Sequence, residues 1–597
     1  RELDWSNINP DIFGSMMQAV VHPDQRGGMG MHYTSVTNIM KVIEPLFLND
    51  LYDELESVES SAIKLQKLQQ RLAEIKIFDP ACGSGNFLII AYKELRNLEM
   101  ELLKRLQELE LEKTGQISQP FSVIKLSQFY GIELDDFAHE VAILSLWLAE
   151  HQMNVEFRAE FGDCSPSLPL NKSGNVYSGN ATLMAWGEVC PSDGSEVFIL
   201  GNPPYMGAKR QSKDQKSDMA TVFKGSKTYK NLDYISCWIY KASEYISSYG
   251  AKAGLVTTNS VTQGDQVDLL WPSVFDMGVE ISFAYTSFKW TNSAKGQAAV
   301  ICVIIGLGIE SSAEKFLYHD GLKIKSDQIG PYLNLGSSVV VKKSKKSISS
   351  LPEMAYGNMP LEGGFLKLSD ADKVGLLEAS PEAVSLIRPV IGGEEFLKGI
   401  KRWCLWIDDD HLDLAMTIPE VKRRIEGVRS FRVNGGDVAR TLVDRPHQFR
   451  YRRESTGAAI VVPCTSSERR DYMQCGFYSK DYITMNSVQV VYDASPFIFG
   501  ILSSRLHMLW VKAVAGRLKS DYRYSNVICY NTFPVPKIKP SVSDDIGMAS
   551  LSILSVREEY LDMKIGDMYI PGNGIRFENT IYADVTGSGS VTIGYTG

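Results

Sequence analysis

The residues with the clearest chemical potential stand where an apolar run ends. Residues 198–200 lead through a glycine into the turn Asn202–Pro203–Pro204–Tyr205. The Asn202 side-chain oxygen and the Pro203 carbonyl are hydrogen-bond acceptors, and the proline pair holds the second one rigidly. Acceptors on both hydrogens of an amine attached to an aromatic ring would favour a pyramidal nitrogen and free its lone pair. Tyr205 can stack on such a ring, although the segment taken alone equally fits a proline turn that ends a strand.

A glycine turn follows an earlier apolar strand. "IKIFDPACGSGNF", residues 75–87, predicts strand, turn and helix, with Asp79 at the carboxyl end of the strand. Gly83 and Gly85 let the backbone approach a ligand that a Cβ would exclude, or they simply make a tight connection. The next strand, in "FYGIELDD", ends in Glu133, an acid that can accept hydrogen bonds from two ribose hydroxyls. An N-cap or a solvated charge is the alternative for this acid.

These residues need a common scaffold. Short apolar runs alternate with amphipathic stretches from residue 75 to about 310, which predicts βαβ units and a mostly parallel sheet. A third strand end offers Asn180, with Asp163 as a competitor for the same place. Because ligands bind at the carboxyl edge of such sheets, we expect the four strand ends to open on one crevice. The chain lacks GxGxxG, which argues against a nicotinamide cofactor.

Composition sets outer limits on the protein class. The 597 residues are 44% hydrophobic and 22% charged, which is typical of a globular chain with several domains. No apolar run reaches the roughly 18 residues of a membrane span. The nine cysteines contain no CxxC pair, so we predict neither a metal site nor a disulfide framework. The odd cysteine count and the lack of a signal-peptide pattern predict a reducing, cytoplasmic location.

Charge is distributed unevenly. The net charge of −9 does not by itself indicate a nucleic-acid partner. Residues 422–453, however, hold ten Lys/Arg and three Asp/Glu, a local charge of +7, and residues 339–347 add four lysines. Aromatic residues interleave with the first run, and Arg452 and Arg453 stand at its end. This pattern favours contact with DNA phosphates over a merely solvated surface.

Three motifs in order carry a resemblance to a known family. "DPACGSGNF", "GIELDD" and "GNPPY" resemble the S-adenosylmethionine-dependent amino-methyltransferases of DNA in the arrangement called γ. "GMHYTS", residues 30–35, resembles the cofactor motif that these enzymes carry upstream of the glycine loop. The resemblance implies a Rossmann-like methyltransferase sheet, S-adenosyl-L-methionine as cofactor, and methyl transfer to adenine N6 of a base flipped out of double-stranded DNA. Cytosine N4 remains an alternative target.

The resemblance also assigns cofactor contacts. It places Tyr33 and Thr34 at the methionine end, Glu133 at the ribose and Asn180 at the adenine ring. The family usually has Asp where Asn180 stands. Asn180 is preferred to Asp163 because it lies 22 residues before Asn202, where the family places this contact. The glycine loop would cradle the cofactor through Asp79, Ala81, Gly83, Gly85 and Asn86.

A later strand supplies a candidate for a second aromatic against the flipped base. "SFKWTNSAKGQAAVICVIIGL" resembles the family segment with this role, and Phe288 is the first choice and Trp290 the second. Packing of the ring in the core is the alternative. The resemblance thus gives the base four contacts in the turn, Asn202, Pro203, Pro204 and Tyr205, and one on this strand.

Further segments narrow the resemblance. "DWSNINPDIFGSMMQ", "SFKWTN", "SSERR" and "GRLKSDYRYSNVICYNTFP" resemble the MmeI-like (type IIL/IIG) single-chain restriction–modification enzymes, from residue 1 to about 570. Lys519 and Asp521 match positions with which that family reads one base pair: Lys can donate to guanine, and Asp can accept from cytosine N4. A surface ion pair is the alternative. Arg523 and Asn486 are further expected DNA contacts.

The pattern and the resemblance together divide the chain. We expect a helical connector at 1–70, which contributes the cofactor motif, and a methyltransferase domain at 71–310. A mixed α+β target-recognition domain would span 311–540, and a C-terminal helical segment with a Gly/Ser/Thr-rich tail 541–597. The tail from residue 571 has no assigned role. The oligomeric state and the DNA site stay open.

The family carries a nuclease domain ahead of the methyltransferase, and this chain begins after it, so we expect no DNA cleavage. Asp413, Glu420 and Lys422 offer an Asp…Glu-x-Lys set, but their helical setting favours chance. A methyltransferase acting on RNA or on protein glutamine is one rival, which the recognition-like region argues against. A non-catalytic DNA-binding specificity subunit is the other.

Overall fold

The chain divides into two compact units, Arg1–Val340 and Val341–Gly597. The computed structural model describes residues 34–116, 118–162, 175–224, 226, 228–290, 300–336, 338–518, 520–560, 563–568, 580–585 and 591–596. Three residues singled out above, Tyr33, Asp163 and Lys519, lie outside this part of the chain, as does the side chain of Trp290.

A nine-stranded sheet forms the centre of the first unit. Its order is β3–β2–β1–β4–β5–β7–β6–β8–β9. Strands β1 to β5 run parallel, whereas β7 runs antiparallel to both of its neighbours. The predicted α/β class with a mostly parallel sheet is confirmed. The strands are β1 Lys76–Asp79, β2 Phe129–Glu133, β3 Asn175–Ser178, β4 Val197–Gly201, β5 Lys252–Thr258, β6 Val279–Trp290, β7 Val300–Ile309, β8 Lys315–His319 and β9 Leu322–Ser326.

Helices cover both faces of this sheet. Successive strand residues point to opposite faces, so Ile77 joins one buried core and Phe78 the other. The helices are α1 Val36–Ile43, α2 Asn49–Val58, α3 Ala62–Glu74, α4 Asn86–Thr114, α5 Asp136–Phe161, α6 Trp186–Val189, α7 Lys213–Val222, α8 Ser236–Tyr249 and α9 Gly264–Asp276, with a π-helical segment Glu44–Leu48 between α1 and α2. Helices α1 to α5 pack in the first core, and α8 and α9 in the second.

Helix α1 lies directly on β5. A Cβ on Gly254 would stand 2.8 Å from Cγ1 of Val42, so a larger residue at 254 would push the helix away. This close packing, made by the last turn of α1, holds the helix against the sheet. Strands β8 and β9 come after residue 310, where the sequence predicted the end of the methyltransferase domain, but they belong to the first sheet.

The second unit is a mixed α+β structure, which confirms that part of the fold class. Two four-stranded sheets have the orders β10–β18–β14–β16 and β11–β13–β12–β17, and a small sheet has the order β15–β20–β19. The strands are β10 Met354–Tyr356, β11 Lys367–Leu368, β12 Ile387–Ile391, β13 Trp403–Leu405, β14 Ala458–Pro463, β15 Thr465–Ser466, β16 Gly476–Ser479, β17 Ile483–Thr484, β18 Val488–Val491, β19 Gly516–Leu518 and β20 Asp521–Arg523.

The helices of this unit and its last two strands complete the fold. The helices are α10 Asp370–Ala379, α11 Gly393–Lys398, α12 Leu412–Thr417, α13 Pro419–Val433, α14 Asp437–Arg440, α15 Pro496–Ser503, α16 Arg505–Val514, α17 Pro540–Glu559 and α18 Ile565–Met568. The tail contains two antiparallel strands, β21 Thr580–Val585 and β22 Val591–Thr596. Within the described ranges no single helix is long and apolar enough to cross a membrane, and only the pair α15–α16, bent by 56°, meets those criteria together.

One arginine of the basic run is a structural hub. Arg432 is fully buried near the end of α13. Its guanidinium donates hydrogen bonds to the carbonyl oxygens of Leu361 at 3.0 Å, Leu442 at 2.9 Å, Arg445 at 2.7 Å and Gln448 at 2.6 Å. The five donors of an arginine in a fixed fork suit this role. Arg432 therefore ties together loops that have no sheet to hold them.

Replacing this hub should destabilise the second unit. Arg432→Met keeps the side-chain length but leaves four carbonyl oxygens without their donor. An unsatisfied buried polar group costs about 1–3 kcal/mol, so we expect a loss of at least about 3 kcal/mol in the free energy of unfolding, measured by urea titration. Arg429→Met, at an exposed position of the same helix, should change it by less than about 0.5 kcal/mol. Equal stabilities of the two variants would contradict the hub role.

Candidate active site

The carboxyl ends of β1 and β4 meet at the centre of the sheet. Strands β2 and β3 lie on one side of β1, and β4 and β5 lie on the other side. The strand order therefore reverses between β1 and β4. Open α/β sheets bind ligands at such a point. The two strand ends touch there: Gly201 has φ +148°, and a Cβ on it would lie 2.5 Å from Oδ1 of Asp79. A glycine is required because the Asp79 carboxyl occupies that space.

The loop after β1 is held from three directions. The Ala81 amide donates to Oδ1 of Asp79 at 3.0 Å, and Nε1 of Trp238 donates to the Pro80 carbonyl at 3.1 Å. The Gly83 amide donates to Oε2 of Glu133 at 2.8 Å. Gly83 has φ +55°, and a Cβ there would meet nothing within 4 Å. The loop is therefore rigid and borders open space, as a cradle requires.

The end of this loop starts α4. Gly85 adopts φ +86° and precedes the helix, whose first residue, Asn86, is buried at 8% exposure. The Asn86 Oδ1 accepts from the Ser84 hydroxyl at 3.4 Å. Trp238 was not found by sequence reasoning, because its contact with the loop joins residues 158 positions apart.

Glu133 bridges two backbone segments. Besides the Gly83 bond, its Oε1 accepts from the Asp135 amide at 2.9 Å. The Leu134 amide also bonds this carboxylate. Because a carboxylate offers about four lone-pair sites, it can still accept from a hydroxyl of a ligand. Gly179, after β3, donates its amide to the Glu133 carbonyl at 2.8 Å, and this bond brings Asn180 to the same edge.

Carboxyl groups cluster at this edge. Burial, together with the nearby charge of Glu133, raises the pKa of Asp79 to about 8, and the Ala81 hydrogen bond opposes both effects. Burial also raises the pKa of Glu133 and of Asp233. No described Lys, Arg or His forms an ion pair with any of the three. A site with this electrostatics favours a ligand that carries positive charge.

Asn202 presents an acceptor with no partner. Its Nδ2 donates to Oγ1 of Thr34 at 3.3 Å, a bond between residues 168 positions apart. Its Oδ1 is buried and accepts no hydrogen bond from the described residues. Buried polar atoms are almost always paired, so this oxygen requires an explanation such as a missing ligand donor.

The rest of the turn is anchored at its exit. The Met206 amide donates to Oδ1 of Asp233 at 2.9 Å, and Nε2 of Gln211 donates to the Met206 carbonyl at 3.0 Å. Tyr205 is half-buried against the second core, and burial, with a smaller effect of the Asp233 charge, raises its pKa. The turn prolines are buried (Pro203) and half-buried (Pro204). Asp233 escaped sequence reasoning, since its place just before α8 indicates only a helix start.

Phe288 reaches the same edge from the far side of β5. It pairs with Cys302 of β7, which in turn pairs with Thr258 at the end of β5. A register shift between Tyr285 and Phe288 re-aims the strand at this point. The Nζ of Lys41, on α1, lies 4.4 Å from the centre of the Phe288 ring. No sequence signal indicated this contact.

The Asn180 amide is engaged by its own surroundings. Its Nδ2 donates to Oδ2 of Asp218 at 3.1 Å, and its Oδ1 accepts from the Thr182 amide at 3.0 Å and hydroxyl at 2.7 Å. The Tyr234 hydroxyl donates to the same Asp218 oxygen at 2.6 Å. These bonds hold Asn180 rigidly at the edge, and its cofactor role stays a prediction.

Two of the expected DNA-reading residues, Asp521 and Arg523, lie on β20 in the small sheet of the second unit. β19 and β20 form an antiparallel pair in which Leu518 faces Asp521, and Lys519 lies outside the described residues. Asp521 is half-buried. Burial lowers the pKa of Arg470, and the negative charge of Asp521 partly offsets this effect. Arg523 and Asn486 are exposed.

The basic run is used largely inside its own unit. Arg452 donates to the Ile407 carbonyl at 2.8 Å and to Asp408 at 2.6 Å, and it stacks on Trp406 at 4.2 Å. Other members pair with acids: Arg423 and Arg424 with Glu420, and Arg453 with Glu353. Lys422 and Arg429 are exposed, and no described acid pairs with them. The net charge of a segment therefore overstates the cations left for DNA.

The raised pKa of Asp79 makes stability depend on pH. The carboxyl binds its proton more tightly when folded, with a pKa of about 8, than when unfolded, with a pKa of about 3.9. Its contribution is complete below the unfolded value and is lost as the pH rises through the folded one. The Asp79→Asn variant cannot ionise at this position. From about pH 5 to 8, we therefore expect the unfolding free energy of the wild type to fall relative to that of the variant in urea titrations. Parallel pH profiles would contradict the assignment.

Comparisons with known proteins agree with the resemblance drawn from the motifs. The family model of the MmeI DNA-methyltransferase domain matches residues 55–319, and that of the MmeI target recognition domain matches residues 335–537. The chain is 48% identical over 561 residues to DNA methyltransferase A of Bacillus subtilis (strain 168), which covers 93% of this chain and 63% of that protein.

A solved structure gives the same result. The type IIL restriction–modification enzyme MmeI, in complex with DNA, matches with a TM-score of 0.87 and 38% identity, over 96% of this chain and 77% of that one. The chain spans less than two thirds of the length of the Bacillus relative. The chain belongs to the MmeI family, and it carries the DNA-methyltransferase and target recognition domains of that family.

Proposed function

We propose that this chain transfers a methyl group from S-adenosyl-L-methionine to adenine N6 of a base flipped out of double-stranded DNA, as the modification part of a restriction–modification system. The observation that carries the proposal is the buried, unpartnered Oδ1 of Asn202 at the carboxyl edge of the sheet. A buried acceptor without a protein donor can bind a hydrogen-bond donor of the substrate, and the amine on an aromatic base is such a donor.

The charge of the crevice supports the cofactor. S-adenosyl-L-methionine has a sulfonium and an ammonium against one carboxylate, so it brings net positive charge to the buried Asp79 and Glu133. We propose that Glu133 accepts from the ribose, that the open side of Gly83 holds the chain of the cofactor, and that Asn180 meets the adenine ring. Thr34 and Tyr33 would meet the methionine end. When bound, the cofactor supplies an electrophilic methyl group.

The turn would activate and hold the base. The Asn202 Oδ1 and the Pro203 carbonyl would accept the two hydrogens of the amine and free its lone pair for attack on the methyl group. As the N–CH3 bond replaces the bond between sulfur and methyl, the amine would lose one of these protons to solvent. Tyr205 and Phe288 would hold the ring from the two strand ends on which they stand. The catalytic contribution is positioning and two fixed acceptors, without a covalent intermediate on the protein.

DNA as the substrate is supported by the second unit. The MmeI relative was solved in complex with DNA, and the target recognition domain of this chain matches the family model. We propose that Lys519, Asp521, Arg523 and Asn486 read or contact DNA. Arg452 and Arg453 are weaker candidates, since their side chains are paired within the unit. RNA or protein glutamine as substrate would leave this domain without a role.

The proposal does not include DNA cleavage, and it places the protein in the cytoplasm. Asp413 lies on α12 and Lys422 on α13, and Glu420 is already bonded to Arg423 and Arg424, so we propose no nuclease role for these residues. Eight described cysteines are free of disulfides, which supports a reducing, cytoplasmic location.

Removing the unpartnered acceptor should separate catalysis from cofactor binding. We expect Asn202→Ala to lower tritium transfer from labelled S-adenosyl-L-methionine to duplex DNA by at least about a hundredfold, because loss of one fixed group at the reacting atom has costs of this order. The cofactor Kd, measured by calorimetry, should change by less than about threefold. Asn231→Ala, at an exposed amide of the same unit, is the control.

Undiminished transfer by Asn202→Ala would refute the catalytic assignment. Transfer by the wild type to RNA or protein in preference to duplex DNA would refute the substrate class. No transfer to any of the three would favour the non-catalytic alternative.

Changing the recognition pair should relax one position of the DNA site. We expect Asp521→Ala to reduce discrimination at one base pair by about 10- to 100-fold, the value of a good base contact. Sequencing of the methylated DNA would show degeneracy at that position alone. Asp481→Ala, an exposed acid of the same unit, should leave the site unchanged. Uniform loss of methylation at all sites would point instead to a structural role beside Arg470.

A further inference from the structure

Thr34 connects the predicted cofactor motif with the catalytic turn. It stands immediately before Ser35, the N-cap of α1, and is 4% exposed. Its hydroxyl oxygen accepts a hydrogen bond from Nδ2 of Asn202 at 3.3 Å. The other end of that amide, Oδ1, is the buried atom without a described partner. One end of the Asn202 amide is thus held by the protein, and the other is left for a ligand.

The direction of this amide decides whether the site can work. The nitrogen and oxygen ends of an amide have nearly the same shape, so a half-turn exchanges a donor for an acceptor. The reversed amide would present NH2 to the amine of the base, and two donors do not pair. A hydroxyl can donate or accept, so Thr34 alone tolerates both directions of Asn202.

A partner that only accepts would remove the ambiguity. We propose that the carboxylate of the bound cofactor accepts the Thr34 proton and thereby sets the direction of the Asn202 amide. This inference rests on the proposed function. A carboxylate has no proton to give, so the Thr34 hydroxyl must donate to it. Its lone pair then faces Asn202, and only the NH2 end of the amide can pair with that lone pair. Oδ1 is left directed at the base.

The fold supports such a relay. Helix α1 cannot drift from the sheet, because Val42 is packed against β5 where Gly254 leaves no room for a Cβ. Among the described residues, the Thr34 hydroxyl has no acceptor for its own proton. Thr34 is therefore a positioning residue, and the acceptor site for the base is complete only when the cofactor is bound.

Two substitutions at one position test this role. Thr34→Val keeps the shape and removes the hydroxyl, and Thr34→Ser keeps the hydroxyl. In single-turnover methyl transfer to duplex DNA at saturating cofactor, we expect Thr34→Val to be about 10- to 100-fold slower than the wild type. Thr34→Ser should stay within about threefold. Thr37→Val, the same change at an exposed position in the first turn of α1, is the matched control.

A cofactor analogue gives a second test, which begins with the wild type. Decarboxylated S-adenosyl-L-methionine keeps the methylsulfonium and lacks the carboxylate. At saturation it should slow the wild type by a factor similar to that of Thr34→Val, and it should slow Thr34→Val no further. The two changes remove the same link, so their effects are not multiplicative. A binding readout is independent of turnover: in calorimetry, Thr34→Val should weaken the Kd of S-adenosyl-L-methionine and leave the Kd of the decarboxylated analogue at its wild-type value.

Three outcomes would overturn the inference alone. Thr34→Val could transfer at the wild-type rate once cofactor saturates, which would leave Thr34 with a binding role only. The variant and analogue effects could multiply, which would make them independent. Equal loss in Thr34→Val and Thr34→Ser would indicate packing. Absence of transfer to DNA by the wild type would overturn the proposed function itself, and the inference with it.

Discussion

The rest of the site depends on one acceptor that the fold buries without a donor. An unpaired buried oxygen such as Oδ1 of Asn202 costs about 1–3 kcal/mol, and it persists only because its neighbours fix the backbone on both sides. Gly201 is pressed against the Asp79 carboxyl, and Asp233 holds the amide of Met206 beyond the turn. Between these anchors the prolines leave little freedom. The turn at the end of β4 is thus rigid, as in-line transfer requires.

A second unfavourable contribution to stability comes from the carboxyl groups next to this turn. Asp79 is buried and the neighbouring Glu133 is half-buried, and burial raises the pKa of both. Because no described basic residue pairs with them, these carboxyls destabilise the folded protein once they ionise. A cationic cofactor would relieve that cost and gain affinity from it. The proposed base site and the proposed cofactor site would therefore share one property: each keeps groups that an incoming ligand would satisfy.

Sequence reasoning located this edge because its signals are local. Apolar strands that end in Asp79, Glu133 and Asn202 follow from alternation and glycine placement within short windows. The sheet and the family were accessible for the same reason. The bonds that set the directions of side chains were not. Thr34 and Asn202 lie 168 positions apart, and Lys41 meets Phe288 across the helix–sheet packing.

Charge was the least predictable property. A run of ten cations suggested a phosphate-binding surface, yet Arg432 ties loops together and Arg452 pairs with Asp408. Composition counts charges without showing whether the fold uses them internally. The boundary predicted at residue 310 preceded the actual end of the first sheet for a related reason, since β8 and β9 carry no motif that marks them as part of it.

The most direct measurement of the central claim is a crystal structure of the chain with duplex DNA and a cofactor analogue that cannot transfer its methyl group. The distance to read is that between Oδ1 of Asn202 and the amine nitrogen of the extruded base. We predict a hydrogen bond of about 3 Å or less, with no protein donor on that oxygen. An Oδ1 paired with a protein donor, with the base amine held elsewhere, would contradict the account.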